Sequence, residues 1–158
     1  MDMETRYKQA VEKAEKGEFT EDPEILKLAS YLEWPELGRT VAHAQVDMGW
    51  TTENPEILKL ATQRNWTVAH AQAAMGWNTD NPEILKLASN METVAHLQAE
   101  NGWVTEDPEI LKLAAEGGWT VAHLQAENGW VTENPEILKL ATTKGYTVAE
   151  AIEAYKQQ

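Results

Sequence analysis

Four histidines, His43, His70, His96 and His123, recur at intervals of 27, 26 and 27 residues, and imidazoles at regular spacing invite metal chemistry. Asp47, Glu100 and Glu127 stand four positions after three of them, the i, i+4 spacing that puts two ligands on one helix face; Ala74 breaks the series opposite His70. Two ligands make a weak site. Sharing one zinc between copies fails on distance, because stacked helices lie about 8–10 Å apart whereas two imidazoles on one zinc bring their nitrogens within about 4 Å. The expectation is structural or exposed histidines, with no metal and no cofactor. For nucleophilic chemistry the chain offers Ser30 and Ser89 as its serines, no cysteine and no phosphate-cradling glycine loop. Carboxylate pairs abound in any chain this acidic, and a repeat array lacks a deep pocket to shift them. We expect no enzyme.

The histidines lie in segments that open Thr-Val-Ala, at Thr40, Thr67, Thr93, Thr120 and Thr147. Threonine is a natural N-cap. At about 100° per residue, Val41, Ala44 and Met48 point one way, with His43 and Asp47 on the opposite edge. Ala44/Met48 and Ala71/Met75 in the early copies become Leu97/Asn101 and Leu124/Asn128 later, a small-plus-large pair exchanged for large-plus-small. Gly49, Gly76, Gly102 and Gly129 close these helices, each followed by a tryptophan that can fold back on the last turn. Trp66, Trp119 and Tyr146, just ahead of the next threonine, form a second expected row. Gln45, Gln72, Gln98 and Gln125 read as amides that satisfy backbone groups of the neighbouring unit, since a buried amide must find partners; Ile152 stands in their place where no unit follows.

A second helix alternates with the first. PEILKLA occurs five times, from Pro23, Pro55, Pro82, Pro108 and Pro135, each proline preceded by Asp or Asn. That is a capped helix start with proline at its first position. Ile25, Leu26, Leu28 and Ala29 make an apolar arc, and Glu24 and Lys27 are spaced to pair as i and i+3. Residues 2–17 place Tyr7, Ala10, Val11 and Ala14 on one face of a polar capping helix. Helices of two to three turns are marginal alone, so packing on sequence neighbours must stabilise them. The expected class is all-α, a solenoid of stacked short helix pairs in one domain. Its parts are a cap over 1–19, repeats over 20–51, 52–78, 79–104 and 105–131, and a last repeat with closing cap over 132–158.

GWTVAHLQAENGW followed by PEILKLA resembles the ankyrin repeat, whose first helix opens T-P-L-H-x-A and ends in a glycine turn before a second apolar helix. The likeness runs from Thr20 to near the end of the chain. It implies that Thr40, Thr67, Thr93 and Thr120 play the part of the motif's threonine. It also implies that His43, His70, His96 and His123 are structural, tying one repeat to the next by hydrogen bonds. Valine replaces the motif's proline, glutamine enters the apolar arc, and four or five connecting residues leave no room for the projecting β-hairpin. The expectation is an ankyrin-like array without fingers; leucine-rich-variant and HEAT-like repeats are the competing labels.

Formal net charge is −13, and between Glu92 and Lys139 nine acidic residues face only Lys112 and Lys139. Such a field repels nucleic acid and anionic membranes and attracts a basic partner. Residues 1–18 lack a leader pattern and no apolar run is long enough to span a bilayer, so a cytoplasmic protein is expected. Stacked repeats present an extended surface, and copies differ most in their connections. The expected function is protein–protein interaction, through Tyr31, Trp34, Leu37, Asp47, Arg64, Asn65, Met91, Glu92, Glu100, Glu116 and Glu127, with Trp34 as an aromatic anchor or an edge cover. The alternatives are an acidic inhibitor that mimics nucleic acid, and a spacer or weakly self-associating array.

Overall fold

The structure, a computed structural model, describes residues 1–31 and 38–158. It is all-α, and among the described residues it contains eleven α-helices and no strand. The chain divides into two compact units, Met1–Trp77 and Asn78–Gln158, each a run of helical-repeat solenoid. The first holds α1 (Met3–Glu15), α2 (Pro23–Leu26), α3 (Val41–Asp47), α4 (Pro55–Leu58) and α5 (Val68–Ala74). The second holds α6 (Pro82–Leu85), α7 (Val94–Glu100), α8 (Pro108–Leu111), α9 (Val121–Glu127), α10 (Pro135–Leu138) and α11 (Val148–Lys156), with a 3-10 turn at Glu116–Gly118.

Each Pro-Glu-Ile-Leu helix starts by a relay of side chains. The hydroxyl of Thr105 accepts from the Asp107 N–H at 3.1 Å, and the Asp107 carboxylate accepts from the Glu109 N–H at 2.9 Å. Thr20, Thr52, Thr79 and Thr132 begin the same relay in the other copies. Proline sits where no N–H is missed.

The helix then stops after one turn, shorter than the apolar arc of PEILKLA suggests. Beyond Lys27 the backbone is captured by an antiparallel bridge, Ala29 to Thr40, and the four later connections repeat it as Ala61–Thr67, Ala88–Thr93, Ala114–Thr120 and Ala141–Thr147. Bonds such as Thr62 N–H to Trp66 O at 3.0 Å and Val68 N–H to Leu60 O at 2.9 Å hold each bridge. A connection of four or five residues thus accommodates one bridge and no hairpin.

The longer helices end in Schellman turns. In α3, Gly49 has φ 99 and donates to Val46 O at 2.9 Å, and Trp50 donates to Gln45 O at 3.0 Å. The Trp50 ring is thereby folded onto the repeat, where its indole N–H reaches the Glu21 carboxylate at 2.7 Å. Trp77 meets Glu53 and Trp130 meets Glu106 in the same way.

In the second unit the core is a ladder of small and branched residues. Ala95 and Ala99 of α7 face Ala122 and Ala126 of α9, closed over by Ile110, Val121, Ile137 and Val148, all fully buried. Alanine at these positions lets seven-residue helices approach closely, and the burial supplies the stability that their length does not. In the first unit, Tyr7 of α1 packs with Leu28 and Val41, the capping role read from its apolar face.

The early and late copies do not exchange core volume as the Ala/Met and Leu/Asn pairs suggest. Met48 and Met75 are 47% and 58% exposed, so the methionines lie outside the core. The Asn128 amide instead donates to Ala99 O at 2.9 Å, a bond between consecutive repeats.

Candidate interaction surface

The histidines are buried, not on an exposed edge opposite the apolar positions. In α3 the Thr40 hydroxyl accepts from the His43 N–H at 3.2 Å, while His43 Nδ1 accepts from the Thr40 N–H at 3.2 Å and faces the same hydroxyl at 2.8 Å. This is a capping box with imidazole in the place of the usual Glu or Gln. His70, His96 and His123 close the same box with Thr67, Thr93 and Thr120. An Nδ1 that accepts is unprotonated, so the ring hydrogen sits on Nε2. From there His43 donates to Trp66 O at 3.0 Å, His96 to Trp119 O at 2.9 Å and His123 to Tyr146 O at 2.8 Å. Each of these carbonyls already accepts the bridge N–H of its own connection, from Thr62, Ala115 and Thr142, so both lone pairs are filled.

Burial holds His43 down to about 4 against its ordinary 6.5, with the Trp66 carbonyl pulling the other way, and burial also lowers His96 and His123. A neutral ring with both nitrogens engaged has no lone pair for a metal and no role as a base. The aromatic row lies against these rings, with Trp66 on His70 at 5.1 Å, Trp119 on His123 at 5.5 Å, and Trp119 on Tyr146 at 5.8 Å between ring centres.

The glutamines are buried and doubly bonded, but within their own unit and not to a neighbour. Gln45 Oε1 accepts from the Thr20 N–H at 2.8 Å and its Nε2 donates to Thr20 O at 3.2 Å. Gln72 grips Thr52, Gln98 grips Thr79 and Gln125 grips Thr105 by the same two bonds. Each long helix is thus pinned to the strap that enters its repeat, and Ile152 stands at the pin's place in the last copy. No buried side-chain nitrogen or oxygen among the described residues lacks a hydrogen-bond partner.

The lysines, too, pair differently from the i, i+3 spacing of Glu24 and Lys27. Lys27 reaches Glu56 at 3.5 Å, Lys86 reaches Glu109 at 3.1 Å and Lys112 reaches Glu136 at 3.2 Å, each across to the next copy. With the helix ending at Leu26, Lys27 is its cap and extends along the array.

What remains outside is the set of exposed positions expected to meet a partner. Tyr31 is 63% exposed and its N–H donates to the Glu4 carboxylate at 3.1 Å. Trp34 and Leu37 lie outside the described residues. Asp47 is exposed but ion-paired with Arg39. Arg64 and Asn65 share an exposed loop in which Asn65 has φ 62, the left-handed conformation taken by Gly118 and Gly145 at the equivalent position. Asn65 therefore serves the turn, whatever else it touches.

In the second unit four of the expected residues come together. Met91 is 65% exposed, and its carbonyl accepts the Glu116 N–H at 3.1 Å, joining consecutive connections. Half-buried Glu92 has its carboxyl raised, by burial first and then by the charge and hydrogen bond of Glu100. Glu127 is exposed at the end of α9, the place that Glu100 holds at the end of α7.

The imidazole boxes escaped the sequence reading, though one signal was present. Thr147-Val-Ala-Glu150 is the ordinary capping box, which Glu150 closes with Thr147 at 3.2 Å, and the histidines stand at Glu150's place in the other copies. No helix of the described residues is long and apolar enough to cross a membrane. No protein-family model and no curated protein matches the chain.

Proposed function

We propose that the chain is a non-enzymatic protein-interaction module that binds its partner through the connection tips and outward helix ends of its repeats. One contrast supports this reading. The repeated threonines, histidines and glutamines are buried with their polar groups consumed internally, whereas residues that vary, Met91, Glu92, Glu116 and Arg64 among them, lie at the surface or its edge. Met91 supplies apolar contact area beside the Glu92 and Glu100 carboxylates, the combination that suits a partner with a basic, partly apolar face. The ankyrin likeness, with its Thr-x-x-His box and glycine turn, points the same way.

A combined variant, Met91→Ser, Glu100→Lys, Glu116→Lys and Glu127→Lys, tests the reading by affinity capture from the native host. A partner retained by the unmodified protein and lost from the variant, at unchanged melting temperature, is expected. An identical set of captured proteins would contradict it.

A second reading, an acidic inhibitor that occupies the basic groove of a nucleic-acid-binding protein, is favoured by the pairing of Lys27, Lys86 and Lys112 with glutamates of the next copy, since Glu100, Glu116 and Glu127 stay exposed. Salt separates the two. An interface centred on Met91 persists in high salt, and phosphate mimicry weakens steeply.

A further inference from the structure

We propose that the two Asn–Gly turns, Asn101–Gly102 and Asn128–Gly129, are modification sites at which the chain deamidates, and that conversion of Asn128 cuts a bond between consecutive repeats. Asn–Gly occurs at these two places alone, and the early copies carry Met48 and Met75 at the same position. The reaction needs only water. The glycine nitrogen gives up its proton and bonds to the asparagine Cγ, Nδ2 leaves as ammonia carrying that proton, and water then opens the cyclic imide to aspartate or isoaspartate. Glycine favours ring closure because no Cβ crowds its nitrogen.

The fold holds both reacting groups. Asn128 is the C-cap of α9, with φ −97 and ψ 9. The nucleophile, the Gly129 N–H, donates to Ala126 O at 3.0 Å, and the leaving group, Asn128 Nδ2, donates to Ala99 O at 2.9 Å. At the other turn the Gly102 N–H donates to Ala99 O at 3.0 Å and Asn101 Nδ2 to Leu97 O at 3.2 Å. Ring closure therefore proceeds from a helix end that has opened.

The two turns differ in cover. The Tyr155 ring of α11 lies over Gly129, so that a Cβ there would fall 2.9–3.1 Å from its atoms, whereas nothing lies within 4 Å of the same point at Gly102. Asn101 is the faster site and Asn128 the guarded one. The consequence at Asn128 falls on the bond between repeats. Aspartate has no hydrogen to give Ala99 O, and it adds negative charge at a helix C-terminus beside Glu127. Isoaspartate also lengthens the backbone through the turn in which Trp130 donates to Gln125 O at 3.0 Å.

Peptide mapping by mass spectrometry, on purified full-length protein aged in neutral buffer, reads conversion at each asparagine. Asn101 converts faster than Asn128 in the folded protein, and unfolding in urea brings both to one faster rate. Tyr155→Ala raises the Asn128 rate about fivefold, the change in open population that about 1 kcal/mol of lost cover produces, and leaves Asn101 unaltered; Tyr155→Phe behaves as the unmodified protein. Equal rates in the folded state, no response of Asn128 to Tyr155→Ala, a rise at both asparagines, or no conversion in urea would each overturn the proposal. Asn128→Asp melts below the unmodified protein; equal melting would remove the consequence drawn for the repeat junction.

Discussion

His43 works as a neutral ring, and that state carries a pH dependence of definite sign. Its folded-state value lies at about 4 against an ordinary 6.5, so as pH falls the unfolded chain takes the proton first. The stability it contributes is complete above 6.5 and is lost as pH falls toward about 4, roughly 3 kcal/mol in all. Glu92, raised by burial and by Glu100, works in the opposite direction over part of that window. His43→Gln isolates the histidine, because Gln can close the Thr40 box without titrating. In urea titrations, the advantage of the unmodified protein over His43→Gln should shrink by about 3 kcal/mol between neutral pH and pH 4; a constant difference would refute the neutral-ring assignment.

A second residue-scale test concerns the glutamine pins. Gln98→Ile, the residue that stands at Ile152, removes both bonds to the half-buried Thr79 backbone. A loss of about 1–3 kcal/mol in the urea midpoint is expected, and an unchanged midpoint would show the pin to be idle. The threonine caps were legible because cap chemistry is local. The partners of the imidazole and amide were not, since both lie some twenty residues away in sequence and depend on how the repeat closes.

At the scale of elements, the connections set the geometry of the array, and one glycine shows how tightly. Gly118 has φ 80, and a Cβ on it would stand 2.8 Å from the Thr143 backbone nitrogen, with no flexible side chain to yield. Gly118→Ala is expected to destabilise by more than about 2 kcal/mol, whereas Asn65→Gly at the equivalent position changes stability by about 0.5 kcal/mol or less. Melting temperatures of the two variants check this, and similar shifts would show that the turn tolerates side chains. Both helix starts and the glycine turns could be read from the chain. The length of the Pro-Glu-Ile-Leu helices could not, because Leu28 and Ala29 suit an apolar helix face as well as they suit the bridge to Thr40. The exposed patch was legible only as a list of positions; that Met91 and Glu116 join through backbone, and that Glu92 meets Glu100, depends on how consecutive connections stack.

At the scale of the whole molecule, helices this short imply repeats that do not fold alone. Helices of four and seven residues are far below the length that persists alone in water, and their fixed residues spend their bonding groups on the strap before and the connection after. Removing one full period should therefore leave a working junction. Deleting residues 94–120 joins Thr93 to Val121, sets Gln125 where Gln98 stood against Thr79, and keeps the His123 bond to Tyr146. The most direct measurement is circular dichroism of this deletion beside a synthetic peptide of residues 93–119. The deletion should melt in a single cooperative transition of reduced enthalpy while the peptide shows no helix. A helical peptide, or a deletion that loses cooperative melting, would contradict the account.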